Sequence, residues 1–412
     1  MVQNSGALEK FKNTVGIKFQ LYNSLFLSLP FYGIDKTGIL LSLFNQNCEE
    51  GFAAGKSPSE IIAEFFENHA AFGSEKDQID LLFRFVQYAE RQIVLFDALE
   101  DASFRELNDM QGAGTMKQLE TAVMQQDKIE VLSKKLEKFA VRLVLTAHPT
   151  QFYPGPVLGI INDLVDSIAA NDVANINSLL QQLGRTPFLK KQKPTPYDEA
   201  VSLIWYLENI FYNAVGNVIS SLKASASEQN LKISELIKMG FWSGGDRDGN
   251  PFVTVETTVK VAEALRRAIL HCYYRVIRVL KRRLTFAGVE SILAELERRV
   301  YRNAFSIEND TGLKKQTILD YLYEIQSLIN TKHSGLFVEL VDRLIDKVEL
   351  FGLFFATIDI RQDSGVHANI FEEIAENTNI LPKDFPVLSE DEKINVLLNI
   401  DKSVDAEELS DE

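Results

Sequence analysis

Val141-Arg-Leu-Val-Leu-Thr-Ala-His148-Pro-Thr-Gln151 passes in eleven residues from an apolar, β-branched run to a histidine set ahead of a proline. Val141 to Thr146 has the length and the residue types of a strand. Pro149 disfavours the α conformation at the residue before it, so His148 leaves the strand end on extended backbone with its imidazole rigidly aimed. Histidine exchanges protons near neutral pH and typically contributes ~10²- to 10⁴-fold to a rate in that role. A lone histidine placed this way can equally do no more than hydrogen-bond a loop, so its neighbours decide the reading.

Two other segments follow the same plan. Met239 to Trp242 (MGFW) and Phe354 to Ile360 (FFATIDI) are β-rich, short and separated by long helical stretches, which predicts parallel strands joined by helical crossovers. Each runs into polar residues: Ser243 to Pro251 (SGGDRDGNP) after the first, Arg361 to Ser364 (RQDS) after the second. Polar clusters at the carboxyl ends of parallel strands are how α/β barrels assemble active sites. The candidate catalytic residue is His148, and the candidate substrate ligands are Arg361 and Arg247. Asp246, Asp248 and Asn250 shape the loop. If the third strand continues, Asp359 and Asp363 flank Arg361 on one side and hold its guanidinium as a fixed fork for phosphate or carboxylate. The glycines of GGDRDGNP let backbone approach a ligand closely. The loop is not an EF-hand: with Asp246 as position 1, glycine falls at position 4 instead of 6, and position 12 is Thr257.

The rest of the chain reads as helix. Leu82, Val86, Ala89, Ile93 and Phe96 recur at helical spacing and predict one buried face, as do Ile318, Leu322, Ile325 and Leu328. Thr195, Pro196 and Asp198 supply an N-cap, a first-turn proline and a carboxylate three residues after the cap, so a long helix through Trp205 and Glu208 starts there. Residues 1–140 are expected to form a helical region. Residues 141–400 carry the first strands and helices of an α/β barrel with helical insertions, and 401–412 form an acidic, disordered tail.

The 412 residues are 46% hydrophobic and 25% charged, a globular composition that excludes disorder of the whole chain. The net charge of −15 argues against nucleic acid and anionic membranes as partners, while leaving room for basic pockets that take small anions. No run approaches the ~18 apolar residues of a membrane span, and no signal peptide is evident. Cys48 and Cys272 form no CxxC and suggest neither a disulfide framework nor a zinc site, so a reducing cytoplasm is expected. Arg266, Arg267, Arg275, Arg278, Lys281, Arg282 and Arg283 give one helix a nucleic-acid or calmodulin-target look. Few aromatics share the face of Ala264, Ala268, His271, Arg275 and Arg278, which favours a solvated or intersubunit face. His69, His271, His333 and His367 form no HxxxH pair and imply no metal.

Four ordered motifs resemble phosphoenolpyruvate carboxylase: Val144 to Gln151 (VLTAHPTQ), Lys193 to Ala200 (KPTPYDEA), Gly244 to Pro251 (GGDRDGNP) and Asp359 to Ser364 (DIRQDS). The resemblance spans the chain and corresponds to the amino-terminal half of a family member. It implies a predominantly α-helical fold with a few parallel strands, forming part of the family's α/β, TIM-like barrel. The implied reaction joins bicarbonate to phosphoenolpyruvate through carboxyphosphate and an enolate, giving oxaloacetate and phosphate. By motif match His148 assists release of CO₂ from carboxyphosphate and Arg361 binds the substrate phosphate. Mg²⁺ or Mn²⁺ is required, with ligands in the half that has no counterpart here, so no metal ligand is assigned in this chain. A homo-oligomer is implied for the full-length form, and the chain alone is expected to be inactive. The family's arginine near Pro154 or Gly155 is missing. The competing reading is a non-catalytic helical interaction module derived from the same family.

Overall fold

The computed structural model describes residues 3–28, 37–69, 74–125, 128–146, 153, 155–188, 194–225, 236–305 and 312–404. The acidic tail lies outside them from residue 405 onward. The chain divides into two compact units, Met1–Gln118 with His148–Lys193, and Leu119–Ala147 with Pro194–Glu412.

The first unit is helical. Helix Glu75–Leu107 starts at Ser74, whose side chain accepts the Asp77 amide, leaving one fewer orphan donor at the helix end. Its buried face is Leu81, Phe85, Tyr88, Val94, Leu95, Ala98 and Leu99. Most of that face packs with Tyr22 and Phe26 of helix Ile17–Ser28, Ile160 and Leu164 of helix Gly155–Ala169, and Ile176 and Leu180 of helix Val173–Arg185. Each Leu, Ile, Val or Phe among them contributes ~1.5–3 kcal/mol when fully buried. The face expected to be buried is therefore displaced: Val86 and Ile93 are 56% and 55% exposed. Leu82, Val86, Ala89, Ile93 and Phe96 lie beside a second apolar stripe, Leu81 to Leu99, and a helix apolar on two adjacent faces gives periodicity nothing with which to choose between them.

The second unit holds the sheet. Strands β1 (Val141–Leu145), β2 (Ile237–Phe241) and β3 (Thr357–Ile358) are parallel, in the order β1-β2-β3. Leu145 is in register with Phe241, and Phe241 with Ile358. The sheet is open among the described residues, and no closed barrel is present among them. β3 is shorter than the expected Phe354–Ile360: helix Val338–Phe351 stops at Gly352, at φ +59°, residues 352–356 form a turn and bends in which Phe355 is buried against Tyr212 and Phe351, and the regular strand is confined to Thr357 and Ile358. Between β2 and β3, helices Val255–Arg283, Val289–Phe305, Lys315–Lys332 and Val338–Phe351 each pack on the next. Ile318, Leu322 and Ile325 are buried as expected.

Helix Pro196–Tyr206 begins at the predicted capping box, with Thr195 Oγ1 accepting the Asp198 amide at 3.2 Å and the Asp198 carboxylate accepting the Thr195 amide at 2.9 Å. It runs on through a π-helical turn, Leu207–Phe211, into helix Tyr212–Ser225. The basic helix Val255–Arg283 is not a solvated face throughout. Ala268 is buried, His271 stacks on Phe305 at 4.6 Å, Arg266 donates to Asn303 at 3.1 Å, and Lys281 pairs with Glu297. The neighbouring helix Val289–Phe305 thus occupies much of that face. No helix among the described residues is long and apolar enough to cross a membrane.

Candidate active site

The site is built where β2 and β3 end. Trp242 continues β2 by donating its amide to the Leu145 carbonyl at 3.0 Å, and the chain then turns, with the Gly245 and Asp246 amides returning to the Trp242 carbonyl at 2.8 and 3.0 Å. Gly244 holds φ +83°, a conformation that a side chain would strain, and a Cβ there would also strike Val261. At Gly245 a Cβ would strike the Asp359 carbonyl and Ile358. This close approach lets the two strand ends stay paired beyond the regular sheet. The Arg361 amide donates to the Gly245 carbonyl at 3.0 Å and the Arg247 amide to the Arg361 carbonyl at 2.8 Å. Asp246 and Arg361 are thereby held side by side.

The Arg361 guanidinium is fixed on three sides. Its Nη1 donates to Asp246 Oδ2 at 3.2 Å, its Nη2 lies 3.8 Å from Asp248 Oδ2, and its Cζ sits 4.7 Å from the centre of the Trp242 ring. A cation over an indole is attracted by the ring's negative face. With 44% of its side chain still exposed, Arg361 keeps donors available to an anion. The predicted fork is present, but different carboxylates hold it. Asp359 faces Arg142 and the Trp242 indole Nε1, which donates to it at 3.2 Å. Asp363 caps helix Ser364–Asn377 through the Gly365 amide at 2.7 Å. The alternation that would have put both beside Arg361 stops when β3 ends at Ile358.

Asp246, Asp248, Arg361 and Trp242 are thus brought together. Arg247 turns towards the helix that follows, donating to Thr258 Oγ1 at 3.3 Å, while the Thr258 hydroxyl donates to the Gly244 carbonyl at 2.6 Å. Asn250 shapes the loop as an Asx turn, its Oδ1 accepting the Phe252 amide at 3.1 Å. Ser243 Oγ, Asp246 Oδ1 and Arg247 Nε are buried with no hydrogen-bond partner among the described residues. Such atoms are costly to bury unless something fills their capacity. His148, with Pro149, Thr150 and Gln151, lies outside the described residues, as does Pro154.

Sequence reasoning missed Trp242 and Arg142 as parts of the site. The signal for Arg142 was a cation inside an otherwise apolar strand, and for Trp242 an indole directly before the glycine-rich loop.

A divalent cation needs several oxygen donors free to converge on it. Asp246 and Asp248 both face Arg361, and among the described residues no three His, Cys, Asp or Glu side chains come together as a metal site. The residues described here do not fit a divalent ion. They fit an anion, held by a rigid guanidinium above an aromatic floor.

The phosphoenolpyruvate carboxylase family model matches residues 81–324 and 297–405.

Proposed function

Since the chain belongs to the phosphoenolpyruvate carboxylase family, we propose that its strand-end site binds phosphoenolpyruvate for carboxylation by bicarbonate, giving oxaloacetate and phosphate. The observation that carries this reading is Arg361, fixed by Asp246 and Asp248, backed by Trp242 and exposed at the carboxyl end of a parallel sheet. A guanidinium so constrained matches the oxygens of a phosphoryl group and loses little freedom on binding it.

In the proposed sequence a bicarbonate oxygen attacks phosphorus, so that carboxyphosphate forms as the bond from phosphorus to the enol oxygen breaks and the enolate of pyruvate departs. Carboxyphosphate then yields CO₂ and phosphate, and the enolate carbon attacks CO₂. Negative charge moves between phosphate and enolate throughout, which is where a fixed cation contributes most. Arg361 holds the phosphoryl group, Arg247 braces the loop on the helix that follows, and His148 manages the proton as carboxyphosphate breaks down.

The family resemblance implies a divalent metal. Because the acids of this site face Arg361, the reading places the metal ligands outside this chain, together with strands that pair with the open edges of β1 and β3. An assay of oxaloacetate formation by the 412-residue chain with phosphoenolpyruvate, bicarbonate and Mg²⁺ tests this. Absence of turnover is expected, and robust turnover would overturn the claim that the chain needs a complement.

A further inference from the structure

We propose that Asp359 is a positioning residue, which locks the Trp242 indole so that its face carries Arg361; this rests on the reading of Arg361 as the phosphate ligand. The Asp359 carboxylate has two partners. Oδ2 accepts the Trp242 indole N–H at 3.2 Å, and Oδ1 pairs with Arg142 of β1. Its backbone is anchored separately, through its amide to the Phe241 carbonyl at 2.9 Å. The carboxylate therefore ties together side chains from three segments: Arg142 near the start of β1, Trp242 following β2, and its own segment following β3.

An indole has two torsions, and packing leaves its ring plane loosely set when one edge faces solvent. A hydrogen bond from Nε1 to a carboxylate that is itself held by a guanidinium removes that freedom, because ionised acceptors bind more strongly than neutral ones. The ring then presents a fixed face to Arg361, 4.7 Å away. Asp246 and Asp248 hold the rim of the guanidinium, and the indole faces its central carbon. The Asp359 carboxylate pairs with Arg142 and the indole N–H, while Asp246 and Asp248 hold Arg361, so Asp359 acts through the ring.

The chain has two tryptophans, Trp205 and Trp242, so Trp205→Phe leaves Trp242 as the sole indole reporter. In that background Asp359→Leu should shift Trp242 emission to the red and raise its acrylamide quenching several-fold, with far-ultraviolet circular dichroism unchanged. Phosphoenolpyruvate binding, measured by equilibrium dialysis, should weaken by about tenfold, within the ~10²-fold that a ~1 Å misplacement can cost. Asp359→Asn keeps an acceptor for the indole and should restore both readouts most of the way.

Trp242→Phe, which removes the N–H that Asp359 accepts, should weaken binding similarly, and adding Asp359→Ala to it should change little more, although Asp359→Ala alone should weaken binding as Asp359→Leu does. That second cycle decides the matter if Asp359→Leu does not fold. Emission, quenching and affinity in Asp359→Leu equal to the parent would overturn the proposal, as would fully additive losses in the cycle. A parent chain that binds no phosphoenolpyruvate would count against the functional reading instead, while emission and quenching would still decide the role of Asp359.

Discussion

Replacing Gly245 with alanine should loosen the junction between the two strand ends and carry Arg361 with it. An added Cβ would overlap the Asp359 carbonyl and the Ile358 side chain, and the carbonyl is backbone that cannot rotate away. Overpacking of this kind costs ~1–3 kcal/mol. If the segments instead separate, the bonds from the Arg361 amide to Gly245 (3.0 Å) and from the Arg247 amide to Arg361 (2.8 Å) weaken, at ~0.5–1.5 kcal/mol each. By either route the loss is about 2 kcal/mol. With a urea dependence of ~3 kcal/mol/M, the midpoint should fall by about 0.7 M. Trp242 emission in a Trp205→Phe background reads it locally. Affinity for phosphoenolpyruvate should fall in parallel by about tenfold, the equivalent of ~1.4 kcal/mol. Gly249→Ala is the control: it sits at φ +69° with nothing near the added Cβ, so it should cost ~1–2 kcal/mol of local strain and leave affinity intact. A Gly245→Ala midpoint equal to the parent, or equal losses of affinity in both variants, would refute the reasoning.

Thr195→Ala removes the N-cap of helix Pro196–Tyr206 and should destabilise the second unit by ~1 kcal/mol, read as a lower urea midpoint. In the first unit, burial above all pushes the phenols of Tyr88 and Tyr153 up to about 12, with the hydrogen bond to Asp97 adding to it at Tyr153. The folded state holds these protons more tightly than the unfolded one, so their contribution is intact below pH ~10 and is lost as the pH rises towards ~12. Circular dichroism followed through an alkaline titration should show structure declining in that window, together with tyrosinate absorbance. A loss complete well below pH ~10 would contradict the assignment.

The plan of the site was readable because its strands are bounded by chemistry of a different kind. β1 and β2 stand out as apolar runs that end abruptly in His148 and in GGDRDGNP, and the capping box at Thr195 is a local code that tertiary packing left alone. β3 was legible only in part. The expected strand, Phe354 to Ile360, follows closely on an apolar helix end, and a short apolar run does not show where regular pairing begins; here Phe351 closes the helix, residues 352–356 turn, and only Thr357 and Ile358 join the sheet.

The buried face of helix Glu75–Leu107 was misread for a related reason, since two adjacent stripes are apolar and only the packing partners distinguish them. The partners of Arg361 could not be read from spacing, because they depend on a loop from β2 crossing to β3. Asp246 and Asp248 lie more than a hundred residues from Arg361 in the chain, whereas Asp359 and Asp363 are near in sequence and engaged elsewhere. Local alternation indicated that carboxylates would hold the arginine, and the topology determined which ones.

The most direct test is equilibrium dialysis of phosphoenolpyruvate against the 412-residue chain and its Arg361→Leu and Arg361→Lys variants, each checked for unchanged circular dichroism. Measurable binding is expected of the parent, with a loss of ~10- to 100-fold in Arg361→Leu for a charge-assisted contact of ~1.5–3 kcal/mol, and a smaller loss in Arg361→Lys, which keeps the charge without the fork. Equal affinity in all three proteins would contradict the reading of Arg361 as the phosphate ligand.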